Sequence, residues 1–465
     1  MPELSDVSQR ALHRILVERQ SAHRVPGLFG GVGRGRELVW GAGIGSADLA
    51  SPGVAPTADS QFLIASISKT FTAVLVMAMR DEGKLSLDDS VERHIPESNH
   101  GGVTIRQMLS HVTGMQREPV GDVWDTLTYP DRAQLVDGWN QAERILKPHH
   151  RWHYSNLCYS MLGEIVARID GREWAESLRA RILDPLGLRA TSLGFSDRAV
   201  QGYYVPPFSD VPVEEPVLDI AAMASAGGLA STARDLTTWA SFLADPTDEL
   251  LRADTLEEMC QPQIMADLET WQLAWGLGVM LLRVDDRIFV GHTGGMPGHI
   301  TGMFAHRQTS TSAVVLMNSS SAPDPAALAV ELAGYVIDNE PDEPELWTPG
   351  TEVPAEFEGL LGRWFSEGQP LAFTVRGGRL EARAESAPAN KPPSVFVKIG
   401  ENLYRTDSGR ETGELLRLTR DDKGAVTTMH WATYLVTREP YAFGEWLTSP
   451  GPGQSGDASS SSSSS

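Results

Sequence analysis

Between Asp338 and Glu356 the chain loses the means to bury itself: acids crowd the segment and prolines stand at 341, 344, 349 and 354. Like charges repel and proline removes backbone donors, so residues 339–356 read as an interdomain linker. The break forces two separate folds. Downstream, Gly362-Arg363-Trp364-Phe365, 371–375, 379–383, 395–399, 403–406, 414–418 and 427–436 read as short strands. Turn pairs such as Gly377-Gly378 and Asp421-Asp422-Lys423-Gly424 separate them. Even spacing of this kind predicts a small antiparallel β-barrel over 357–446. Residues 447–465 end in a serine run and read as a disordered tail.

Upstream, residues 1–338 alternate helical and strand patterns. An amphipathic helix points Leu12, Ile15 and Leu16 inward, and two strands follow, joined by Arg34-Gly35-Arg36. Gly41, Gly43 and Gly45 lack the βαβ context of a dinucleotide fingerprint and fit a glycine-rich hairpin instead. Phe62-Leu63-Ile64 runs as a strand into a helix burying Phe71, Val74, Leu75, Ala78 and Met79, with a stop at Gly83. Later helices are expected over 105–114, 157–171, 173–187, 233–243 and 326–337, with a looser helical stretch at 124–148. His111, at the end of the first of these, reads as a capping or packing residue. Strands are expected at 275–282, 287–290, 302–305 and 312–318, and residues 291–300 lie between the second and third.

The 465 residues carry a formal net charge of −22, whose field repels nucleic acid and anionic membrane surfaces. Cys158 and Cys260 are too few and too far apart for a disulfide framework or a thiolate zinc site. His149, His150 and His153 have no acid or thiol spaced to complete a metal site, so they read as a polar loop. No cofactor is expected. The N-terminus lacks a basic patch followed by an apolar run, and no stretch reaches the eighteen apolar residues of a span. A cytoplasmic location is the expectation.

Three polar motifs carry the chemistry. Ser66 and Lys69 are three apart on a helix and share one face, so an amine can take the proton of a hydroxyl at the helix N-terminus. Tyr154-Ser155-Asn156 stands at a second helix entrance, and His292-Thr293-Gly294 enters a sheet strand. Each alone is weak; the ordered set is not. It resembles the serine β-lactamase and penicillin-recognising superfamily, in its class C-like branch of D-Ala-D-Ala carboxypeptidases, D-aminopeptidases and esterases. The likeness covers roughly the first 340 residues. It implies an α/β fold: an antiparallel sheet flanked by helices, with a helical subdomain. Gly362-Arg363-Trp364-Phe365 resembles the lipocalin-like barrels appended to members of that branch.

Carried over, the resemblance makes Ser66 the acylated nucleophile, Lys69 its proton acceptor and Tyr154 the second proton carrier, with Asn156 bonding the substrate amide. The N–H groups of Ser66 and Gly295 would form the oxyanion hole. Thr293 and Gly294 complete the substrate-binding strand. His292 stands where most β-lactamases have lysine, and Gly295 where related carboxypeptidases have a hydroxyl, which implies a weaker grip on a substrate carboxylate. Lys69, and His292 if charged, would be the cations that lower the Tyr154 phenol. Arg438, near the last strand, is the candidate to supply the missing carboxylate contact. The implied activity is hydrolysis of a small amide or ester through an acyl-enzyme, with a D-residue peptide among the substrates. The same acyl-enzyme intercepted by an amine would make a thioesterase or cyclase, and a catalytically inactive binding relative is the reading of another class.

Overall fold

A computed structural model describes residues 4–246, 250–343, 346–389 and 391–441. They fall into two units that divide at Asp342 and Glu343. The tail expected at 447–465, and the last residues of the expected barrel span, lie outside the described residues.

The first unit is built on an antiparallel sheet of eight strands. Their spatial order is Glu37–Gly45, Gly27–Arg34, Thr311–Met317, His299–His306, Arg287–Met296, Met280–Val284, Leu273–Trp275 and Ile264–Met265. Chain ends far apart in sequence meet at its centre, where Leu28 pairs with Met317 and Arg34 with Thr311. One face is covered by the helices Asp6–His23 and Pro325–Asn339, which bury Leu12, Leu16, Leu332 and Val336 against Leu28, Val32, Val315 and Met317. The other face carries a helical layer containing Ser68–Asp81, Asn156–Asp170 and Ala233–Ala244. Ser68–Asp81 is buried on nearly every side, which is why its sequence is apolar around most of the helix. Stacking of Phe71 on Trp239 at 4.0 Å locks it to Ala233–Ala244.

Several local expectations change. The stretch 291–300 is sheet: Arg287–Met296 runs straight through His292-Thr293-Gly294 and turns back at Pro297-Gly298 into His299–His306. Close approach calls for glycine at Gly291, where a Cβ would meet the Met303 carbonyl oxygen of the paired strand at 1.9 Å, and at Gly294, where it would meet that of Ile64 at 2.1 Å. The strand expected at 275–282 is two strands, turned at Gly278 with φ +88°. The looser stretch at 124–148 resolves into Val123–Thr126 and Arg132–Gln141.

The second unit is a closed eight-stranded antiparallel barrel, each strand pairing with the next and Gly362–Ser366 closing on Tyr434–Thr437. The expected strand 427–436 splits in two at Ala432, whose φ of +54° reverses the chain. Its interior is filled by side chains, among them Trp364, Phe373, Phe396, Tyr404 and Trp431. Indole donors find partners inside: Trp364 Nε1 donates to the Leu360 carbonyl at 2.6 Å and Trp431 Nε1 to Thr406 Oγ1 at 2.9 Å. Among the described residues no helix is long and apolar enough to cross a membrane.

Candidate active site

The short strand Phe62–Leu63 delivers the chain to Ala65, which adopts a left-handed φ of +45°. This non-glycine strain turns Ala65–Ile67 into a 3₁₀ turn that feeds the helix Ser68–Asp81 and lifts Ser66 clear of the regular helix. One turn on, Lys69 is fully buried. Its Nζ lies 3.1 Å from Ser66 Oγ, 2.7 Å from Asn156 Oδ1 and 2.6 Å from the Ala226 carbonyl oxygen. Burial drives the amine well below its ordinary value; Glu118 opposes that shift and Arg117 adds to it.

Asn156 fixes how that amine is oriented. Its Nδ2 donates to Glu118 Oε1 at 2.6 Å, and a carboxylate only accepts, so Oδ1 must face Lys69. A neutral amine has two N–H groups and one lone pair. In that form both N–H groups would go to pure acceptors, Asn156 Oδ1 and the Ala226 carbonyl, and the lone pair would be left for the Ser66 hydroxyl. Asn156, expected to bond the substrate amide, here holds Lys69 through Oδ1 and Glu118 through Nδ2.

Ser155 caps the helix Asn156–Asp170, accepting from the Cys158 N–H, and Tyr154 stands just ahead of it. The Tyr154 hydroxyl has Ser66 as a hydrogen-bond partner. Desolvation holds its phenol above the usual range, against smaller lowering influences from Ser66 and Arg117. The Arg117 guanidinium lies 4.9 Å from the Tyr154 ring centre. Of the cations expected beside Tyr154, His292 is not one. It is 2% exposed, and burial, reinforced by Lys69, pushes it down to about 3. Its Nδ1–H donates to the Thr293 carbonyl at 2.5 Å, and its ring meets Trp275 edge-on at 5.3 Å.

The strand Arg287–Met296 passes the nucleophile turn so closely that Gly294 has no room for a side chain: a Cβ there would stand 2.1 Å from the Ile64 carbonyl oxygen. Pairing with Met280–Val284 ends at Gly291, so one edge of 292–296 is free of strand partners among the described residues, beside Ser66. Thr293 turns its hydroxyl to Met280 Sδ at 3.9 Å, away from the cluster. Gly295, with Ser66, lines a cleft of about 310 Å³ of empty space whose apolar wall is Trp124, Tyr129, Ile220, Met223 and Met296.

Sequence reading missed several neighbours. His111 packs, as expected, but against the site itself: it stacks on Tyr154 at 4.3 Å, and its Nδ1 accepts the Ser155 N–H at 3.1 Å. Its φ of +56° was invisible in the sequence. Arg117, Glu118 and Tyr129 follow a helix stop with no motif to mark them. Arg438 stands in the second unit: its guanidinium donates to the Gly359, Leu361 and Arg363 carbonyls and lies 3.8 Å from the Trp364 ring centre. Those bonds engage both terminal nitrogens within the barrel. Among the described residues no cluster of three metal-ligating side chains occurs.

Sheet, helical layer and serine–lysine–tyrosine cluster together define a penicillin-recognising fold, and the chain belongs to the beta-lactamase family, whose model matches residues 12–335. A domain of unknown function (DUF7586) matches residues 353–438, the barrel. The chain is 30% identical over 240 residues to beta-lactamase-like protein 2 of Dictyostelium discoideum, covering 49% of this chain and 44% of that relative. It thus spans less than half the length of that protein. Among solved structures, a D-stereospecific amidohydrolase from a Streptomyces species aligns at 25% identity with a TM-score of 0.60, covering 70% of this chain and 97% of the other. The D-amino acid amidase of Ochrobactrum anthropi SV3, complexed with L-phenylalanine amide, aligns at 26% identity and TM-score 0.60, covering 71% and 96%.

Proposed function

We propose that this chain is a serine hydrolase that cleaves small amides or esters through an acyl-enzyme on Ser66, with an apolar, D-configured residue on the acyl side. The observation that carries this reading is the Lys69 amine: buried, lowered in pKa, held by Asn156 Oδ1 and the Ala226 carbonyl, and 3.1 Å from Ser66 Oγ. A lysine in water is almost wholly charged at pH 7 and cannot act as a base. Burial removes that obstacle.

In this reading Ser66 Oγ attacks the substrate carbonyl as Lys69 Nζ takes its proton. The developing oxyanion falls to the N–H groups of Ser66 and Gly295, which need no reorganisation at the moment of reaction. Tyr154 passes a proton to the leaving amine. Its raised pKa makes the phenol a proton donor rather than a resting base, which supports Lys69 as the first acceptor. Water then attacks the acyl-enzyme by the reverse relay. The free edge of 292–296 offers main-chain partners to an extended substrate, as an added strand would use them. The D-configured apolar acyl group is supported by the two amidohydrolase likenesses and by the apolar wall of the cleft. A neutral His292 and the absence of a side chain at Gly295 argue against a substrate held by its carboxylate. The filled barrel interior favours a packing role for the second unit, whose lipocalin-like character is part of this proposal.

A fluorophosphonate probe tests it: stoichiometric labelling is expected on Ser66, lost in Ser66→Ala and slowed at least a hundredfold in Lys69→Met. Labelling that persists in Ser66→Ala refutes the assignment.

A further inference from the structure

His111 grips the residue on each side of Tyr154 as well as Tyr154 itself. Its backbone carbonyl accepts the His153 N–H at 2.8 Å, its Nδ1 accepts the Ser155 N–H at 3.1 Å, and its ring stacks on the Tyr154 ring at 4.3 Å with the planes 27° apart. One side chain and its carbonyl thus fix three consecutive residues. The Tyr154 hydroxyl, whose hydrogen-bond partner is Ser66, stands at the far end of the ring so held.

The backbone at His111 is one that another residue would adopt at lower cost. The helix Ile105–Leu109 ends at Ser110, and His111 follows with a left-handed φ of +56°. Glycine takes that conformation freely and is the usual residue just past a helix end, whereas a Cβ makes it strained. Glycine here would stop the helix equally well. Of the three contacts to residues 153–155, however, it would keep only the carbonyl's. The helix end is itself tied to the same target, because Tyr159 Oη, from the helix Asn156–Asp170, donates to the Leu109 carbonyl at 2.9 Å.

The same contacts fix the imidazole's protonation. A backbone N–H only donates, so Nδ1 carries a lone pair and the one ring proton sits on Nε2. A cationic ring would need a proton on Nδ1 as well, which breaks the bond to Ser155. Burial, with Lys69 adding to it, holds the imidazole well below its ordinary value. A neutral ring brings no charge to Tyr154, so what it governs is where the phenol lies.

We propose that His111 is a positioning residue for Tyr154: through its stacked ring and its bond to Ser155 it holds the phenol at Ser66 for the proton transfers of the reaction. The proposal rests on the acyl-enzyme reading above and adds to it a residue outside the three motifs. Release of the acyl group depends on it. There the bond from the water oxygen to the acyl carbon forms and the bond from Ser66 Oγ to that carbon breaks. The Tyr154 oxygen takes the proton that water loses, and Tyr154 and Lys69 between them return one to Ser66 Oγ. A phenol displaced by about 1 Å serves that transfer on the order of a hundredfold less well.

Two variants each remove one hold. His111→Phe keeps a ring to stack and loses the acceptor for the Ser155 N–H. His111→Asn keeps an acceptor, suits the left-handed backbone and loses the ring. Each is made in wild type and in Tyr154→Phe, with a thermal melt to report folding, and two rates are read. One is turnover of p-nitrophenyl acetate, which passes through the attack of water. The other is fluorophosphonate labelling of Ser66, in which fluoride leaves without a proton from Tyr154. Both variants are expected to slow ester turnover at least about tenfold, and at least about fivefold more than they slow labelling. In Tyr154→Phe the same changes should cost less than about a further twofold, because a residue that acts through Tyr154 has nothing left to position. Should His111→Phe not fold, His111→Asn carries the comparison alone. An equal loss with and without the Tyr154 hydroxyl overturns the proposal and leaves His111 a packing residue. So does an equal loss in turnover and labelling, or turnover within about twofold of wild type in a folded variant. Unchanged turnover in Tyr154→Phe takes Tyr154 out of the relay and the role of His111 with it, yet leaves Ser66 as the nucleophile. Labelling that is not on Ser66 brings down the acyl-enzyme reading itself.

Discussion

Replacing Gly294 by alanine would place a Cβ 2.1 Å from the Ile64 carbonyl oxygen and 2.5 Å from Thr301 Oγ1. Carbon and oxygen that are not bonded stay beyond about 3 Å, so strand and nucleophile turn must separate by roughly 1 Å. Neither side yields easily. Ile64 is held by its own N–H to the Leu229 carbonyl at 2.9 Å, and Gly294 is paired with Thr301 inside the sheet. The separation falls between the two proposed oxyanion donors, Ser66 N–H on one side and Gly295 N–H on the other. Losing one such donor lowers the rate on the order of 10²–10³-fold, and a 1 Å misplacement has an effect of the same order. Gly294→Ala is therefore expected to lower kcat on an ester substrate by at least a hundredfold. The neighbouring Gly295→Ala is the control: its Cβ meets Ile300 Cδ1 at 3.3 Å, and a flexible methyl can retreat a few tenths of an ångström. It should stay within about tenfold of wild type. Steady-state kinetics beside a thermal melt makes the comparison, the melt reporting whether the variant is folded. A folded Gly294→Ala within threefold of wild type would refute the close-passage argument.

Other expectations follow from groups away from the nucleophile. His292 and His299 are each pushed down to about 3 by burial, and His111 is lowered as well. The unfolded chain therefore binds protons that the folded one refuses, and stability should fall as pH drops below about 6.5 toward 3. At pH 5 the difference is about 2 kcal/mol each for His292 and His299; urea midpoints at pH 7.5 and 5 test it, and equal midpoints would refute it. Arg438→Ala removes a cation that clasps three carbonyls and covers Trp364, and should destabilise the barrel by about 1–2 kcal/mol with kcat/KM within twofold. A tenfold fall in kcat/KM with the barrel melt unchanged would return Arg438 to the substrate.

What could be read from the sequence alone was whatever short-range chemistry writes into neighbouring residues. The acidic, proline-marked break at 339–356, the barrel's spacing, the helix carrying Ser66 and Lys69 and the helix start at Tyr154 all depend on local charge, turn chemistry or periodicity. So did the family likeness, since its three motifs are contiguous. Folding alone decided which groups around them are charged and where their hydrogen bonds go. Burial pulls the Lys69 amine well below its ordinary value and keeps His292 from being a cation, and burial is a property of what packs on top, not of the residue. Asn156 orients the amine because Glu118, thirty-eight positions earlier, claims its other end. Glu118 and Tyr129 carry no motif at all; only the tertiary structure sets Glu118 on Asn156 and Tyr129 in the wall of the cleft that Ser66 lines.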